Sequence, residues 1–237
     1  MIEIKKTIAP TDLSKLQQNA IEQGLSADQA YDTLRNPLKA LVISQLMQDQ
    51  GHLCAYCMRR IPDERKGVPH VKIEHWNARN GIDGKSCGPY GALDYNNFLA
   101  VCSGNQNDFF KSREEKLTCD ACRRNKKLTV NPLDPSTLST IYYTEDGFIF
   151  AFDSDVNNDL TETLNLNCMR DSVQLPKERQ KVLEAVQEEI FSEVELGGAI
   201  DEICTRLYQS FLAVVDPKPP YIGILLWWLK DFIRHEA

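Results

Sequence analysis

The sequence has 237 residues, of which 42% are hydrophobic and 26% charged, a composition typical of a globular protein with a buried core. No signal peptide is expected, because the N-terminus lacks a basic region followed by an apolar run. The apolar stretch 222–229 is far too short to span a bilayer, so a cytoplasmic protein is expected.

The net charge of −7 argues against a protein that touches nucleic acid, but the charge is unevenly distributed. Residues 51–135 contain 14 Lys and Arg against 10 Asp and Glu, whereas the remaining residues contain 13 against 24. Several of the basic residues cluster between Lys111 and Lys127. A local basic patch can neutralise phosphates in an acidic chain, although a solvated surface loop explains the same cluster.

The N-terminal segment, residues 1–50, is predicted to be helical. Thr11 and Ser26 are candidate N-caps, and Pro37 can open a third helix that ends at Gly51. The apolar face of that third helix is expected to contain Leu38, Leu41, Val42 and Leu46.

The central segment, residues 51–135, has irregular patterning with scattered Gly, Pro, Asn and Cys. Its few apolar residues would not fold it by burial alone, so a metal is expected to supply the missing stability.

The C-terminal segment, residues 136–237, is predicted to begin with a β-hairpin that turns at Asp146-Gly147. Helices are expected from Pro176 to about Val215, broken at Gly197-Gly198 and stopped by the proline-rich stretch 216–220. A last helix is predicted from Tyr221 to about His235. This segment is a candidate for docking a partner.

The chain contains eight cysteines, and their clustering in a sequence without an export signal indicates metal binding rather than disulfides. Two C-x-x-C pairs, Cys54/Cys57 and Cys119/Cys122, flank Cys102. A four-cysteine zinc site is therefore predicted, the alternative being two unconnected pairs of reduced thiols. Cys87, Cys168 and Cys204 have no partner at ligand spacing, and the last two are expected to be small apolar residues of helices.

A carboxylate next to a histidine, Glu74-His75, lies between the two halves of the cysteine set. A carboxylate holds a hard divalent cation and an imidazole takes a proton from water, so the pair suits a metal-assisted hydrolase. Such a pair often occurs by chance at a protein surface. Its position among metal-binding cysteines is what supports a functional role.

The order C-x-x-C, Glu-His, then Asn97 five residues before Cys102, then Cys119 near basic residues resembles the HNH nuclease pattern. The resemblance covers residues 54 to about 126. It implies an α+β protein with a ββα-metal core, in which the first His activates water, the Asn fixes the loop and a third position helps to bind a catalytic cation. The zinc site and the flanking helices would complete the fold.

Further motifs extend the resemblance to the PtuB-type HNH proteins of Septu and retron-linked antiphage systems. These motifs are Cys-Ala-Tyr-Cys at 54–57, Ile-Glu-His-Trp at 73–76, Asn-Phe-Leu-Ala-Val-Cys at 97–102, Cys-Asp at 119–120, Asn-Pro-Leu-Asp-Pro at 131–135 and Leu-Asn-Leu-Asn at 164–167. The resemblance implies an effector nuclease that acts with a PtuA-type ATPase and with a retron reverse transcriptase and its noncoding DNA.

Carried over residue by residue, the resemblance makes His75 the general base and Asn97 the middle Asn. Glu74 and Asp120 would ligate the catalytic cation, Mg²⁺ or another divalent ion, although the family's usual third position is a His. Cys119 is preferred as the fourth zinc ligand beside Cys54, Cys57 and Cys102. If Cys122 takes that place instead, Asn125 could reach the cation.

Arg123, Arg124, Lys126 and Lys127 are candidates to hold flanking phosphates, although a solvated helix end explains them equally. HNH chemistry suits DNA, and RNA such as tRNA stays open. Two other functions remain: a zinc-stabilised nucleic-acid-binding module without catalysis, and an interaction protein. The latter would dock its partner on segment 221–234, which contains Trp227 and Trp228 and could equally be the last core helix.

Overall fold

The computed structural model describes residues 1–62, 71–80, 85–106, 116–170 and 173–233, and it mixes helices with short strands. Its helices are α1 (Thr11–Glu22), α2 (Ala27–Asp32), α3 (Leu38–Asp49), α4 (Gly88–Ala92), α5 (Cys119–Arg123), α6 (Pro135–Leu138), α7 (Ser154–Asn158), α8 (Leu175–Glu195), α9 (Ile200–Ala213) and α10 (Ile222–Ile233). Its strands are β1 (Val71–His75), β2 (Phe98–Cys102), β3 (Ile141–Tyr143), β4 (Ile149–Ala151), β5 (Met169–Arg170) and β6 (Val173–Gln174).

The N-terminal helices follow the predicted signals with two differences. Ser26 and Gln29 form a reciprocal capping box at the start of α2, and Gly51 follows α3 with a φ of +60°. Thr11 is not a cap: α1 begins after Pro10 without a side-chain cap hydrogen bond. Leu41 is 55% exposed, because the face of α3 that packs inward runs through Val42 and Leu46 instead.

The central segment is built on an antiparallel pair of strands, β1 and β2, in which Val71 lies opposite Cys102 and His75 opposite Phe98. Helix α3 packs against both strands, and α5 packs against β2. The side chain of Gln50 joins these parts, since its amide donates to the carbonyls of Leu53 and Ala100 and accepts from the Ala100 N–H at 2.8 Å. The loop after α3 is thereby fixed to β2.

The C-terminal segment contains the predicted hairpin, with β3 paired to β4 so that Ile141 lies opposite Ala151. Gly147 in its turn has a φ of +87°, and a Cβ there would lie 2.0 Å from the carbonyl oxygen of Pro176. The helices α8, α9 and α10 pack on one another. The predicted end of the last helix at His235 lies outside the described residues.

The buried apolar residues form one cluster that draws on all three predicted segments, from Met1 to Leu229. Cys204 lies buried in α9 as expected, whereas Cys168 is buried in the turn before β5 and not in a helix. Within the described part of the chain, no helix combines the length and apolar character needed to cross a membrane.

Candidate metal centre and active site

Four cysteines, Cys54, Cys57, Cys102 and Cys119, converge in the interior with their sulfur atoms all within 4.8 Å of one another. The sulfur atoms of Cys54 and Cys119, of Cys57 and Cys102, and of Cys102 and Cys119 are each 3.8 Å apart. Four thiolates around a tetrahedral zinc ion, at a Zn–S distance of about 2.3 Å, have the same separation of about 3.8 Å. The cluster can therefore hold one metal ion such as zinc.

Each ligand of this cluster comes from an element whose local structure directs it inward. Cys54 and Cys57 lie in a tight turn, where the Met58 N–H donates to the Cys54 carbonyl and the Cys54 N–H to the Arg59 carbonyl, both at 2.9 Å. Cys102 ends β2, and Cys119 begins α5 with a φ of +55°. The metal centre thus ties the turn after α3 to β2 and α5.

Cys122, the alternative fourth ligand, is not part of this group. It is only partly buried, and its sulfur lies 3.8 Å from the carbonyl oxygen of Glu162. The C-x-x-C spacing of this second pair therefore does not make both residues ligands.

Glu74 lies buried on β1 beside this centre, surrounded by polar side chains. Tyr56, from the turn between the first two cysteines, donates its hydroxyl to Glu74 Oε1 at 3.2 Å, and Arg123 forms an ion pair with the same oxygen. The charge of Asp120, near the start of α5, also acts on the Glu74 carboxyl group. Burial raises the pKa of Glu74 to about 8, with Arg123 opposing the rise and the charge of Asp120 adding to it.

Arg123 differs from the sequence-based expectation. Its side chain is only 1% exposed, and its guanidinium donates to Glu74, to the hydroxyl of Tyr56 and to the backbone carbonyls at the end of β1 and of the residue that follows it. A buried guanidinium that is fully engaged in this way does not present itself to a phosphate at the surface. Arg124, Lys126 and Lys127, by contrast, are exposed.

His75 ends β1 and is also buried. Its Nε2 lies 3.1 Å from the carbonyl oxygen of Ala92, and because a carbonyl only accepts, Nε2 bears the proton and Nδ1 has the free lone pair. The rings of Tyr31 and Phe98 meet the imidazole edge-on, with centroids at 4.9 and 5.0 Å. Burial lowers the pKa of His75 to about 4, against an opposing contribution from the Ala92 hydrogen bond, so the ring is neutral near pH 7.

Asn97 immediately precedes β2, and its side chain binds backbone groups of the segment after β1 and of α4. Its Oδ1 accepts from the Asn77 N–H at 2.7 Å, while its Nδ2 donates to the carbonyls of Asn77 and Gly91 at 3.0 and 2.8 Å. These bonds join the segment after β1 to α4, the helix that supplies the Ala92 carbonyl to His75. The Asn97 side chain thus fixes the backbone on which His75 depends.

The remaining predicted ligand, Asp120, is the second residue of α5, and its negative charge helps to raise the pKa of Glu74. Among the described residues, the four cysteines are the sole group of three or more potential ligands within 4.8 Å. Glu74 and Asp120 are thus not joined within that distance by a third His, Cys, Asp or Glu of the described residues. The alternative ligand Asn125 is exposed, beyond the end of α5.

Comparison with known proteins adds one partial similarity. No protein-family model matches the chain. A protein of Vibrio cholerae serotype O1 biovar El Tor, named "Retron Vc95 putative HNH endonuclease", is 25% identical over 112 residues, which are 47% of this chain and 47% of that protein. The chain thus spans about half the length of the relative that it matches.

Two parts of the site were not identified by sequence reasoning: the hydroxyl of Tyr56 and the inward orientation of Arg123. Tyr56 had a usable signal, because a residue between two metal-binding cysteines is held in a fixed turn beside the centre. The sequence contains no signal for the inward orientation of Arg123, because the next residue, Arg124, has the same chemistry and is exposed.

Proposed function

We propose that this protein is a metal-dependent HNH endonuclease, which hydrolyses phosphodiester bonds of nucleic acid in a zinc-stabilised ββα-metal core. The observation that carries the proposal is the arrangement around His75. This neutral imidazole ends β1 and its orientation is fixed through Asn97 and α4. Glu74 precedes it on the same strand, and the charge of Asp120 acts on both residues, raising their pKa values. The partial similarity to a protein named as an HNH endonuclease supports the same function.

Glu74 and Asp120 are the residues that would hold the catalytic cation, and Mg²⁺ fits them because it binds through one or two carboxylates, with water and substrate phosphates as its other ligands. Burial raises the pKa of Glu74, and the charge of a bound cation, like that of Arg123, would favour the ionised form that ligation requires. Such a cation would supply positive charge for the pentacovalent phosphate and the leaving oxygen. Tyr56 and Arg123 both bind Oε1 of Glu74, and this fixes the carboxyl group in one orientation.

His75 is the proposed general base. Because Nε2–H donates to the Ala92 carbonyl, Nδ1 is the nitrogen that takes a proton from the attacking water. The lowered pKa keeps the imidazole unprotonated at neutral pH, which is the state a base requires. Arg124, Lys126 and Lys127, just beyond α5, are the proposed contacts to flanking phosphates.

We further propose that the protein is an effector of an antiphage system, acting with a PtuA-type ATPase and a retron reverse transcriptase with its noncoding DNA. This part rests on the motif resemblance and on the retron named in the description of the Vibrio cholerae relative. Either DNA or RNA such as tRNA can be the substrate, because both present the same phosphodiester to the site.

One observation favours a second function, a zinc-stabilised nucleic-acid-binding protein without catalysis. Arg123 already supplies a positive charge to Glu74, which is what a catalytic cation would otherwise do. In that case Glu74 and Arg123 are a structural ion pair, and the exposed basic residues after α5 bind phosphates without cleaving them.

Incubation of the zinc-loaded protein with plasmid, single-stranded DNA and total RNA, with and without Mg²⁺, separates these functions. We expect at least one polymer to be cut in Mg²⁺ and none when Mg²⁺ is omitted. Binding to all three without cleavage in Mg²⁺ or Mn²⁺, in the presence of the partner ATPase, would establish the second function instead.

A further inference from the structure

We propose that a groove between α8 and α10 is the docking site for an amphipathic helix with basic residues, presented by a partner protein. The groove has a volume of about 770 Å³. It is independent of the nuclease chemistry, so either proposal can fail without the other.

The walls of the groove are apolar and partly open to solvent. Phe191 and Val194 of α8 form one wall, and Trp228 and Phe232 of α10, whose ring centroids are 4.4 Å apart, form the other. Ile200 lies at the end of the groove. Phe191 is 64% exposed and Ile200 46% exposed, so a substantial apolar surface lacks a covering within the described residues.

A second stripe of residues along α8 forms this surface. One face of the helix, through Leu183, Val186 and Ile190, is buried in the core. Residues 184, 187, 188, 191 and 194 recur at spacings of three and four and form the groove wall. From 184 to 194 a helix rises about 15 Å, so a partner helix of about three turns matches its length.

The charge around the groove determines the chemistry of its occupant. Two acidic residues, Glu184 and Glu188, line the groove, and no Lys or Arg lines it. Residues 182–205 contain seven Asp and Glu and no Lys or Arg, and one of these acids, Glu193, is paired with the flanking Arg206. An apolar surface with an acidic rim complements a helix that has apolar residues on one face and Lys or Arg beside them. The same rim repels nucleic acid and anionic lipid.

A second copy of the chain fits less well. In a two-fold dimer the same patch of both chains forms the interface, so two acidic rims, each with Glu184 and Glu188, would be brought together. Like charges at such an interface oppose association.

The test uses a fluorescein-labelled 14-residue peptide of leucine and lysine placed at helical spacing. The readout is the fluorescence anisotropy of this peptide as the full-length protein is added. One comparison peptide has glutamate in place of lysine, and another has the same composition in scrambled order. We expect the basic amphipathic peptide to bind at least tenfold more tightly than either comparison peptide.

Substitutions locate the binding. Phe191→Ser, at an exposed position, is expected to weaken binding at least fivefold, and the double variant Glu184→Lys/Glu188→Lys at least tenfold. The matched controls are Phe152→Ser, which removes an aromatic ring that is 83% exposed on the hairpin, and Glu22→Lys on the exposed face of α1. Both controls are expected to bind as the wild type does, and far-UV circular dichroism confirms that every variant is folded.

Three results would overturn the proposal. The first is equal binding of the lysine and glutamate peptides, and the second is unchanged binding by Phe191→Ser and the double Lys variant. The third is self-association of the protein, or its attachment to phosphatidylcholine vesicles, that is detected by sedimentation and abolished by Phe191→Ser. A second copy or a lipid surface would then be the occupant.

Discussion

The ion pair between Arg123 and Glu74 lies at the centre of the candidate site, with side chains that are only 1% and 9% exposed. Replacement of Arg123 by Met leaves a buried carboxyl group without its partner. We expect the free energy of unfolding to fall by about 3 to 5 kcal/mol, measured by urea denaturation.

The matched control for this change is Arg206→Met, which breaks an exposed pair with Glu193 and should cost less than about 1 kcal/mol. Adding Glu74→Gln to Arg123→Met should recover part of the loss, because the remaining group is then neutral. Equal losses in the Arg123 and Arg206 variants would show that burial does not make the Arg123 pair special.

Neighbouring asparagines provide a test of how His75 is positioned. Asn97→Ala removes three hydrogen bonds and leaves the Asn77 and Gly91 backbone groups without their partner. We expect stability to fall by about 1 to 3 kcal/mol. Nuclease activity should fall with it, even at temperatures where the variant is fully folded. Asn96→Ala, whose side chain is exposed, should change neither quantity.

Burial of His75 predicts a pH dependence of stability and of ring protonation, which can be measured without a cleavage assay. Burial depresses its pKa to about 4, so the folded protein keeps the ring neutral while an unfolded chain protonates it near pH 6.5. Stability due to His75 should therefore be lost as the pH falls from about 6.5 towards 4. NMR titration of the ring, assigned by its loss in His75→Gln, should show no protonation above pH 5. A midpoint near 6.5 would contradict the buried position.

At the scale of elements, the turn after α3, β2 and α5 meet at the four cysteines, and α5 offers an internal control. Cys119 lies in the cluster and Cys122 does not. Zinc measured by atomic absorption should be one equivalent in the wild type and in Cys122→Ser, and should be lost or strongly reduced in Cys119→Ser. Retention in Cys119→Ser with loss in Cys122→Ser would reverse the ligand assignment.

Elements with local signals were predictable from sequence: the cap at Ser26, the helix end at Gly51 and the hairpin turn at Gly147 all depend on residues within a few positions. Leu41 was assigned to the buried face because α3 is apolar over most of its circumference, and only the position of β1 and β2 decides which side is covered. Arg123 escaped prediction for the same reason. Its burial depends on Glu74, which is 49 residues away in sequence.

At the scale of the whole molecule, the metal centre and the candidate active site share their supporting elements. Cys102 and Cys119 belong to β2 and α5, and the same two elements pair with β1 and present Asp120 to Glu74. Removal of zinc should therefore destroy both the fold of the central segment and the catalytic arrangement.

A thiol-reactive mercurial that ejects zinc should lower the melting temperature by more than about 10 °C, since several kcal/mol are lost from a chain of this size. Omission of Mg²⁺ from the buffer should leave the melting temperature unchanged. Differential scanning fluorimetry with parallel zinc analysis distinguishes the two treatments. An unchanged melting temperature after complete zinc loss would mean that the cysteines do not hold a structural ion.

The most direct test of the central claim compares wild type with His75→Ala in Mg²⁺-dependent cleavage of whichever polymer the wild type cuts. His52→Asn, at a histidine outside the site, is the control. We expect His75→Ala to lose cleavage by at least a hundredfold while it keeps one equivalent of zinc, and His52→Asn to retain wild-type cleavage. Undiminished cleavage by folded, zinc-loaded His75→Ala would contradict the claim.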